Sequence, residues 1–512
     1  MKNQSLSACT SGKVETSSRN SSFGRYALCG LLIAVATLGL TACGPYYYKF
    51  PTYTFANRPI PPSKLAERVM IAVSNVGVAG TSGSLAIVDA KRDIRSNVED
   101  TVTNFSISGY STAMPSQIIS FPEQTRGYVY SNTGALTIVN YGTEAVTGSA
   151  GTFPSTSSSV AIPTDFGRIF SAEEAVGQLV VLDNSTSAVY QLNLPNVYRV
   201  AANVGNTVAI AMVRNSNTLY EVIKLNAGTI YNTAAGAAHP LYPANAVDCQ
   251  PYNLPVYCVV PVTDGSGNTL SFDRPTSAYF SLDGTTVYVM NCGPECGGNT
   301  ASVTLLKQGS LDINNVAKNV TATNPLITTV ATPGGATTAI SDGTTLYVAG
   351  QQQQQDGLFA GNLTTILLST NAVNGTYSIS DGNHTKMLFA DNNTLWIGSQ
   401  SCASGERQNL GENYNCLTRF DTSAKTASVI PNVTPGGTTT VAYPNTNQNQ
   451  YYYGDLTGIC WVQTFNKVYT AYGGQVHIFS TIDGSEIDNS LVTVQGTALD
   501  VAYLDALTNA AN

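Results

Sequence analysis

A hairpin phrase that recurs along the chain constrains the fold more than any other feature of the sequence. In each copy an apolar strand runs into Asp-Gly or a related turn, and a return strand with a core such as Tyr-Val or Trp-Ile follows. The clearest copies span residues 278–289 and 338–348, and weaker copies span 387–397 and 461–469. Asp-Gly and Asn-Asn supply the positive φ that a two-residue hairpin turn requires. The pattern therefore predicts a series of antiparallel strand pairs.

A third apolar strand follows most copies and ends in a turn residue. Examples are residues 84–89, 135–140, 178–183, 301–306 and 475–480. This combination resembles β-propeller blades of the YVTN type, to which Tyr288-Val289-Met290-Asn291 comes nearest. The resemblance covers roughly residues 69–504 and implies a ring of small sheets. Propellers of this type are similar to lactonases and to some quinone-linked dehydrogenases, whose acid, base and arginine groups surround the ring axis.

The spacing of the repeat indicates how many blades the ring contains. Second-strand landmarks can be placed at Val69, Tyr128, Ile169, Val208, Tyr288, Tyr347, Trp396 and Tyr469. We therefore predict an all-β fold, a single β-propeller of seven or eight four-stranded blades, with eight favoured. Seven blades would result if a weak unit, at 169 or 208, were a misread hairpin.

Residues 498–504 have the pattern of a first strand that lacks a blade of its own. Closing a ring of sheets buries the apolar faces and leaves only short, protected edges. We therefore predict that this strand completes the blade begun by residues 69–73.

The N-terminal segment predicts export and lipidation. A positively charged stretch precedes a short apolar run over about residues 27–40, and a membrane-spanning helix needs about 20 apolar residues. The run ends in Leu40-Thr41-Ala42-Cys43, which resembles the lipobox of bacterial lipoproteins. The resemblance implies cleavage before Cys43 and acylation of that residue. An ordinary signal peptide with a chance cysteine is the alternative. Gly44 favours the outer membrane in a host that has one.

These features divide the chain into three expected parts. They are a lipoprotein signal peptide over 1–42, a lipidated Pro/Tyr-rich tether over 43–65 and a β-propeller domain over 66–512. We expect membrane contact through the lipid anchor and a location in the cell envelope, on the periplasmic or the surface side. The formal net charge of −8 and the low charged fraction of 11% disfavour phosphate binding, so nucleic acid is excluded as a partner.

Six cysteines beyond the lipobox fall into close pairs, which in an exported protein predict local disulfides. The pairs are Cys249 with Cys258, Cys292 with Cys296, and Cys402 with Cys416. The middle pair could also suggest a redox or metal site. However, redox motifs usually have two intervening residues, and no histidine lies nearby to complete a zinc set. Cys460 stands alone in an apolar run and is predicted to be a buried free thiol.

Residue types that carry catalysis are scarce in this sequence. The histidines are His239, His384 and His477, and no two of them have metal-ligand spacing. We predict no catalytic residue, no metal and no cofactor. Asp283, Asp342 and Asp391 are interpreted as turn residues.

Three consecutive tyrosines, Tyr451, Tyr452 and Tyr453, are the best candidates for an exposed aromatic binding surface. Aromatic side chains anchor protein partners and stack on sugars. The alternative is a strand edge packed on a neighbouring blade.

The sequence favours a non-catalytic binding or scaffold protein with a protein or glycan partner in the envelope. The alternative is a periplasmic lactonase-like hydrolase that uses the propeller axis, and a third hypothesis is a propeller that helps insert other proteins into the outer membrane. The axis discriminates between the first two. Clustered histidines, acids, Arg274 or Arg419 would favour an enzyme, whereas Ser, Thr and aliphatic side chains would favour binding.

Overall fold

β-Strands are the main secondary structure of the described residues, and the second strand of most sheets is buried on both faces. The computed structural model describes residues 60–75, 82–94, 105–110, 113–121, 125–225, 243, 245–250, 256–314, 324–402, 415–431, 453–487 and 492–506. Within these residues the chain forms 32 strands in eight antiparallel sheets. Each sheet is one blade of a β-propeller, so the prediction of eight blades is confirmed.

In the first four blades the strands follow one another from the propeller axis outwards in the order below. Blade 1 contains β32 (Thr497–Tyr503), β1 (Arg68–Ser74) and β2 (Gly83–Asp89). Blade 2 contains β3 (Pro115–Ser120), β4 (Arg126–Ser131), β5 (Ala135–Asn140) and β6 (Ala145–Thr152). Blade 3 contains β7 (Ser159–Ala161), β8 (Arg168–Glu173), β9 (Gln178–Asp183) and β10 (Ala188–Asn193). Blade 4 contains β11 (Val197–Ala202), β12 (Ala209–Val213), β13 (Leu219–Leu225), β15 (Val256–Pro261) and β14 (Asp248–Gln250).

The remaining blades each contain four strands in chain order. Blade 5 contains β16 (Pro275–Phe280), β17 (Thr286–Asn291), β18 (Ser302–Lys307) and β19 (Leu326–Ala331). Blade 6 contains β20 (Thr338–Ser341), β21 (Thr345–Gln353), β22 (Phe359–Leu367) and β23 (Ala372–Ser378). Blade 7 contains β24 (Asn383–Ala390), β25 (Thr394–Gln400), β26 (Leu417–Asp421) and β27 (Thr426–Ile430). Blade 8 contains β28 (Leu456–Val462), β29 (Lys467–Tyr472), β30 (Gln475–Ser480) and β31 (Glu486–Ile487).

Blade 1 joins the first and the last strand of the described ring, as the repeat pattern predicts. β32 pairs antiparallel with β1, with Ile71 opposite Val501 and Val69 opposite Tyr503. On the other side of the blade, the backbone N–H of Ile87 donates to the Phe105 carbonyl at 2.9 Å. Residues 105–107 thereby supply the fourth, outer segment of this blade.

The core of the propeller is divided among the interfaces between neighbouring blades. In β1, Val69, Ile71 and Val73 are buried against blade 8, whereas Met70 and Ala72 are buried against blade 2. This period of two follows from strand geometry, which points successive side chains to opposite faces. Comparable apolar clusters occupy the other interfaces around the ring. Each blade therefore depends on both neighbours for the burial of its faces.

A buried ion cluster holds the point of ring closure. The Arg68 guanidinium donates to Asp505 from Nη2 at 2.8 Å and to Glu144 from Nη1 at 3.0 Å. All three side chains are at most 4% exposed. The backbone N–H and the hydroxyl of Ser63 also donate to Glu144. The cluster thus connects β1, the residues that follow β32, blade 2 and the segment that leads into blade 1.

Short 3₁₀ turns over Glu174–Val176, Gly293–Cys296 and Gln308–Leu311 connect some of the strands. A search of the described residues for a helix long and apolar enough to cross a membrane finds none.

Candidate functional site at the propeller axis

The innermost strands of six blades surround a cavity of about 420 Å³ at the propeller axis. We call this cavity the axial channel. Its walls come from β3, β16, β20, β24, β28 and β32. Because the inner strands of a propeller meet only around the axis, residues more than 380 positions apart in sequence, such as Ile118 and Asp500, face the same space.

Aliphatic and uncharged polar side chains make up most of the channel wall. The aliphatic members include Ile118, Ile119, Ala339, Ile340, Leu388, Ile459, Val501 and Ala502. The uncharged polar members include Gln117, Ser120, Thr338 and Thr385. Asp500 and Lys386 are the charged residues of the lining. None of the three histidines, Arg274 or Arg419 is among these lining residues.

Asp500 occupies a position defined by three strands. Its Oδ2 accepts the backbone N–H of Ile118 at 2.8 Å, and its Oδ1 accepts the N–H of Val501 at 3.0 Å. Lys386 Nζ lies 3.8 Å from Oδ1. A Cβ on Gly458 would lie only 2.4 Å from the same oxygen, so the carboxylate requires glycine on β28. Burial raises the pKa of Asp500 above its ordinary value, against the opposing effects of Lys386 and the two backbone N–H groups.

Cys460 lines the same channel from β28 and is a buried free thiol, as its apolar surroundings predict. Burial raises its pKa, and the nearby charge of Asp500 acts in the same direction. The thiol therefore remains protonated and a poor nucleophile, because the thiolate is the reactive species.

His384 lies in the inner strand of blade 7 but is fully enclosed. Its Nε2 lies 2.7 Å from the Ser380 carbonyl, and its Nδ1 has no hydrogen-bond partner among the described residues. Burial lowers the pKa of His384 to about 4, although the hydrogen bond to Ser380 opposes the shift. The imidazole is therefore neutral at neutral pH and has a packing role.

His477 lies away from the axis, in β30, between blades 7 and 8. Its Nδ1 contacts Glu486 Oε1 at 2.6 Å, and the hydroxyl of Tyr453 donates to the other oxygen of Glu486 at 2.7 Å. The Tyr453 ring stacks on the imidazole with centroids 4.2 Å apart. These contacts pack Tyr453 onto the strands of blade 8 that follow it, rather than onto a neighbouring blade. Tyr451 and Tyr452 lie outside the described residues.

The two candidate arginines do not line the channel. Arg419 donates to the carbonyls of Thr481 and Ile482 and so connects blades 7 and 8. Arg274 donates to the Asn215 carbonyl in a loop between blades 4 and 5. His239 and Cys43 lie outside the described residues.

The three aspartates interpreted as turn residues adopt different roles. Asp283 accepts the backbone N–H of Thr285 at 3.0 Å, and Asp342 accepts the N–H groups of both following threonines. These two side chains stabilise their own hairpins. Asp391 instead accepts the Trp461 indole N–H and the Asn466 N–H, each at 2.9 Å. This aspartate therefore fastens blade 7 to blade 8, which the local motif does not indicate.

Disulfides join the cysteines in the three predicted pairs. Cys249 and Cys258 face each other across β14 and β15, so they belong to the outer strands of blade 4 rather than to an inserted loop. The Cys292–Cys296 loop presents Glu295 to blade 6, where its carboxylate accepts the Gln351 N–H at 2.8 Å. The short loop therefore also contributes a contact between blades 5 and 6.

The paired charges of the channel were not anticipated from the sequence. Asp500 interrupts the otherwise apolar run over residues 498–504, and such a charge in a strand with a buried pattern was the available signal. Nothing local indicates Lys386, because its partner lies on a strand 114 positions later that only ring closure brings near.

Comparisons of this chain with known proteins give matches among solved structures. Neither a family model nor a curated protein sequence matches this chain. Among solved structures, dihydro-heme d1 dehydrogenase NirN matches with 12% identity and a TM-score of 0.49, over 89% of this chain and 81% of that chain. Hydrazine synthase of Kuenenia stuttgartiensis matches with 13% identity and a TM-score of 0.42, over 72% of this chain and 95% of that chain. The Cps50 (Swd1) β-propeller domain of Myceliophteria thermophila matches with 9% identity and a TM-score of 0.41, over 72% of this chain and 96% of that chain.

Proposed function

We propose that the protein is a lipid-anchored β-propeller of the cell envelope that acts as a non-catalytic binding or scaffold protein. The observation that carries this proposal is the wall of the axial channel, which is aliphatic and hydroxylic with a single, loosely spaced ion pair. Ligand sites of this type combine apolar walls with a few polar groups that fix orientation.

The acidic and basic groups elsewhere in the described ring support the same conclusion. Arg68, Glu295 and Asp391 are each engaged in contacts that join neighbouring blades. His384 is enclosed and neutral. These groups serve the ring itself, which leaves the loops and faces of the blades for partners.

The envelope location rests on two independent lines of support. The sequence Leu40-Thr41-Ala42-Cys43 resembles a lipobox, and two or more acyl chains give stable membrane anchoring. Three disulfides are typical of a protein that matures in an oxidising compartment. A partner in the envelope, a protein or a glycan, follows from this location.

Asp500 is the one observation that favours the alternative, a lactonase-like hydrolase. A carboxyl group whose pKa is raised by burial, facing a cavity, is the kind of group that acts as a general acid or base. Its two backbone hydrogen bonds and its place in the closing strand favour a structural and ligand-positioning role instead.

The proposal is tested on the full-length lipoprotein expressed in a bacterium with an outer membrane. Mass spectrometry of the mature N-terminal peptide should show acylated Cys43, and a Cys43→Ala variant should leave the membrane fraction. Cross-linking in intact cells should then identify a protein partner, or binding to purified envelope glycans should identify a sugar partner.

A panel of lactones and esters distinguishes the alternative. We expect no turnover above that of a heat-denatured sample. Turnover by the wild-type protein that disappears in Asp500→Asn, together with no partner, would reverse the assignment. An unmodified Cys43 would remove the lipid anchor from the proposal.

A further inference from the structure

The axial channel contains one fixed negative group and one adjustable positive group. The Asp500 side chain is 5% exposed, whereas the Lys386 side chain is 30% exposed. At 3.8 Å, their separation lies beyond the 2.7–2.9 Å of a direct charge-assisted hydrogen bond. The pair is therefore close enough for mutual attraction but leaves hydrogen-bonding capacity on both groups.

The position of the carboxylate is built by the fold. Each oxygen of Asp500 accepts one backbone N–H, from Ile118 on blade 2 and from Val501 on its own strand. The absence of a side chain at Gly458 makes room for Oδ1 on the blade 8 side. Each carboxylate oxygen has a second lone pair, so Asp500 can accept a further donor without losing these contacts.

A third polar residue belongs to the same lining. Thr385 precedes Lys386 in β24 and also lines the channel. Its hydroxyl is buried and makes no hydrogen bond with any described residue. A buried polar group without a partner is costly, so a ligand that shifts the wall enough to reach this hydroxyl gains a hydrogen bond.

The charge balance of the wall selects the class of ligand. A ligand with a single charge would leave an excess charge in a poorly solvated space, which is unfavourable. A zwitterion keeps the balance, because its ammonium group meets Asp500 while its carboxylate meets Lys386. The aliphatic wall, including Ile459 and Val501, suits an apolar substituent on the same molecule.

We propose that the axial channel binds a small zwitterion with an apolar body, of the class of the aliphatic α-amino acids. The ammonium group donates to the free lone pairs of Asp500, the carboxylate accepts from Lys386, and Thr385 hydrogen-bonds to either group. The inference rests on the proposed function as a binding protein and names the class of ligand for its channel.

Isothermal titration calorimetry with three probes of one carbon skeleton tests the proposal on the full chain. The probes are leucine, 3-methylbutylamine and 4-methylpentanoate. Leucine should bind, and the two singly charged probes should each bind at least about tenfold more weakly, because each loses one charge-assisted contact. Equal binding of the amine and leucine, or no leucine binding at millimolar concentration, would overturn the proposal.

Variants assign the effect to the channel. Asp500→Asn and Lys386→Met should each weaken leucine binding by about tenfold or more. The exposed residues Asp356 and Lys307 supply matched controls, since Asp356→Asn and Lys307→Met should leave leucine affinity unchanged. An equal loss in a channel variant and its control would contradict the assignment.

A second variant covers the case in which Asp500→Asn fails to fold. Thr385→Val removes only the unpartnered hydroxyl and should weaken leucine binding by a smaller factor with the thermal midpoint retained. Undiminished leucine binding in Thr385→Val would remove this residue from the site. Failure of the amino-acid panel would leave partner capture by the anchored protein unaffected, so the two proposals fail separately.

Discussion

Blade 1 and blade 4 are stabilised by different kinds of interaction. Blade 1 is assembled from the first two strands and the last strand of the ring and has a cluster of buried charges, Arg68 with Asp505 and Glu144. Blade 4 is formed by a continuous stretch of chain and has a disulfide between residues nine positions apart. Its fifth strand, β14, lies outside β15 although it precedes β15 in sequence.

The difference follows from the distance along the chain that each blade must bridge. A disulfide between nearby residues stabilises a local sheet by limiting the unfolded chain. Arg68 and Asp505, by contrast, are 437 positions apart, and bringing such distant segments together costs more entropy than closing a short loop. Ring closure therefore relies on an extensive apolar interface and on charges that are stable only when all partners are present.

The largest effect should come from removing the closing strand. A chain that ends at residue 494 lacks β32, and with it the buried Val501, Tyr503 and Leu504. Each fully buried apolar side chain contributes about 1.5–3 kcal/mol, so we expect a loss of about 5 kcal/mol or more in the free energy of unfolding. Thermal unfolding measures this loss of stability. A chain that lacks only residues 507–512, and so keeps β32, is the control. Equal midpoints for the two truncations would argue against closure by β32.

Removal of the central arginine should have the next largest effect. Arg68→Met leaves two buried carboxylates without their cation, and breaking a buried pair in this way costs about 3–5 kcal/mol. Arg214→Met is the matched control, because Arg214 pairs with Glu174 while 51% exposed, and surface pairs contribute about 0–1 kcal/mol. Urea unfolding of both variants measures the difference. Similar losses of unfolding free energy in the two variants would show that the buried Arg68 cluster contributes no more than an exposed ion pair.

Loss of the blade 4 disulfide should have a smaller effect. Substituting Cys249 and Cys258 with serine opens a short loop, for which the chain-entropy relation gives about 2–3 kcal/mol. Each single substitution should cost about as much as the double one, since either one breaks the bond. A double variant as stable as the wild-type protein under oxidising conditions would show that strand pairing alone holds β14.

The pH dependence of stability should have opposite signs for a buried aspartate beside blade 4, Asp183, and one in blade 1, Asp500. Asp183, where blade 3 meets blade 4, accepts Lys224 Nζ at 2.8 Å and also the Tyr257 hydroxyl. Burial alone would raise its pKa, but Lys224, Ser185 and Tyr257 together lower it from 3.8 to about 2. Its stabilisation, about 2 kcal/mol, is complete above pH 3.8 and disappears as the pH falls towards about 2.

Asp500 in blade 1 has a folded-state pKa above its ordinary value of 3.8. The folded protein therefore holds this proton more tightly, and stability falls as the pH rises above 3.8 through the folded pKa. Denaturant unfolding at a series of pH values measures both effects. In Asp183→Asn, the loss of stability below pH 3.8 should be smaller than in the wild-type protein. In Asp500→Asn, the loss of stability as the pH rises above 3.8 should be smaller. The exposed Asp356→Asn should change neither, and identical profiles for all three would refute the contrast.

The fold was largely predictable because its signals are local. Turn residues such as Asp283-Gly284 and the alternation in β1 depend on neighbours in sequence, and even the weak landmarks Ile169 and Val208 fall in or beside the second strands of blades 3 and 4. The site was not predictable in the same way. Asp500, Lys386 and Gly458 meet through the curvature of the ring, and no spacing in the sequence encodes that curvature.

The placement of β32 has a consequence for synthesis. A polypeptide is made from its N-terminus, so β1 exists for nearly the whole period of translation without its inner partner. Blade 1 is thus begun first and finished last, and its hydrogen-bonding edge stays open until residue 503 is free to dock. During this interval the open edge of β1 is a template for pairing with a strand of another copy, and docking of β32 covers it.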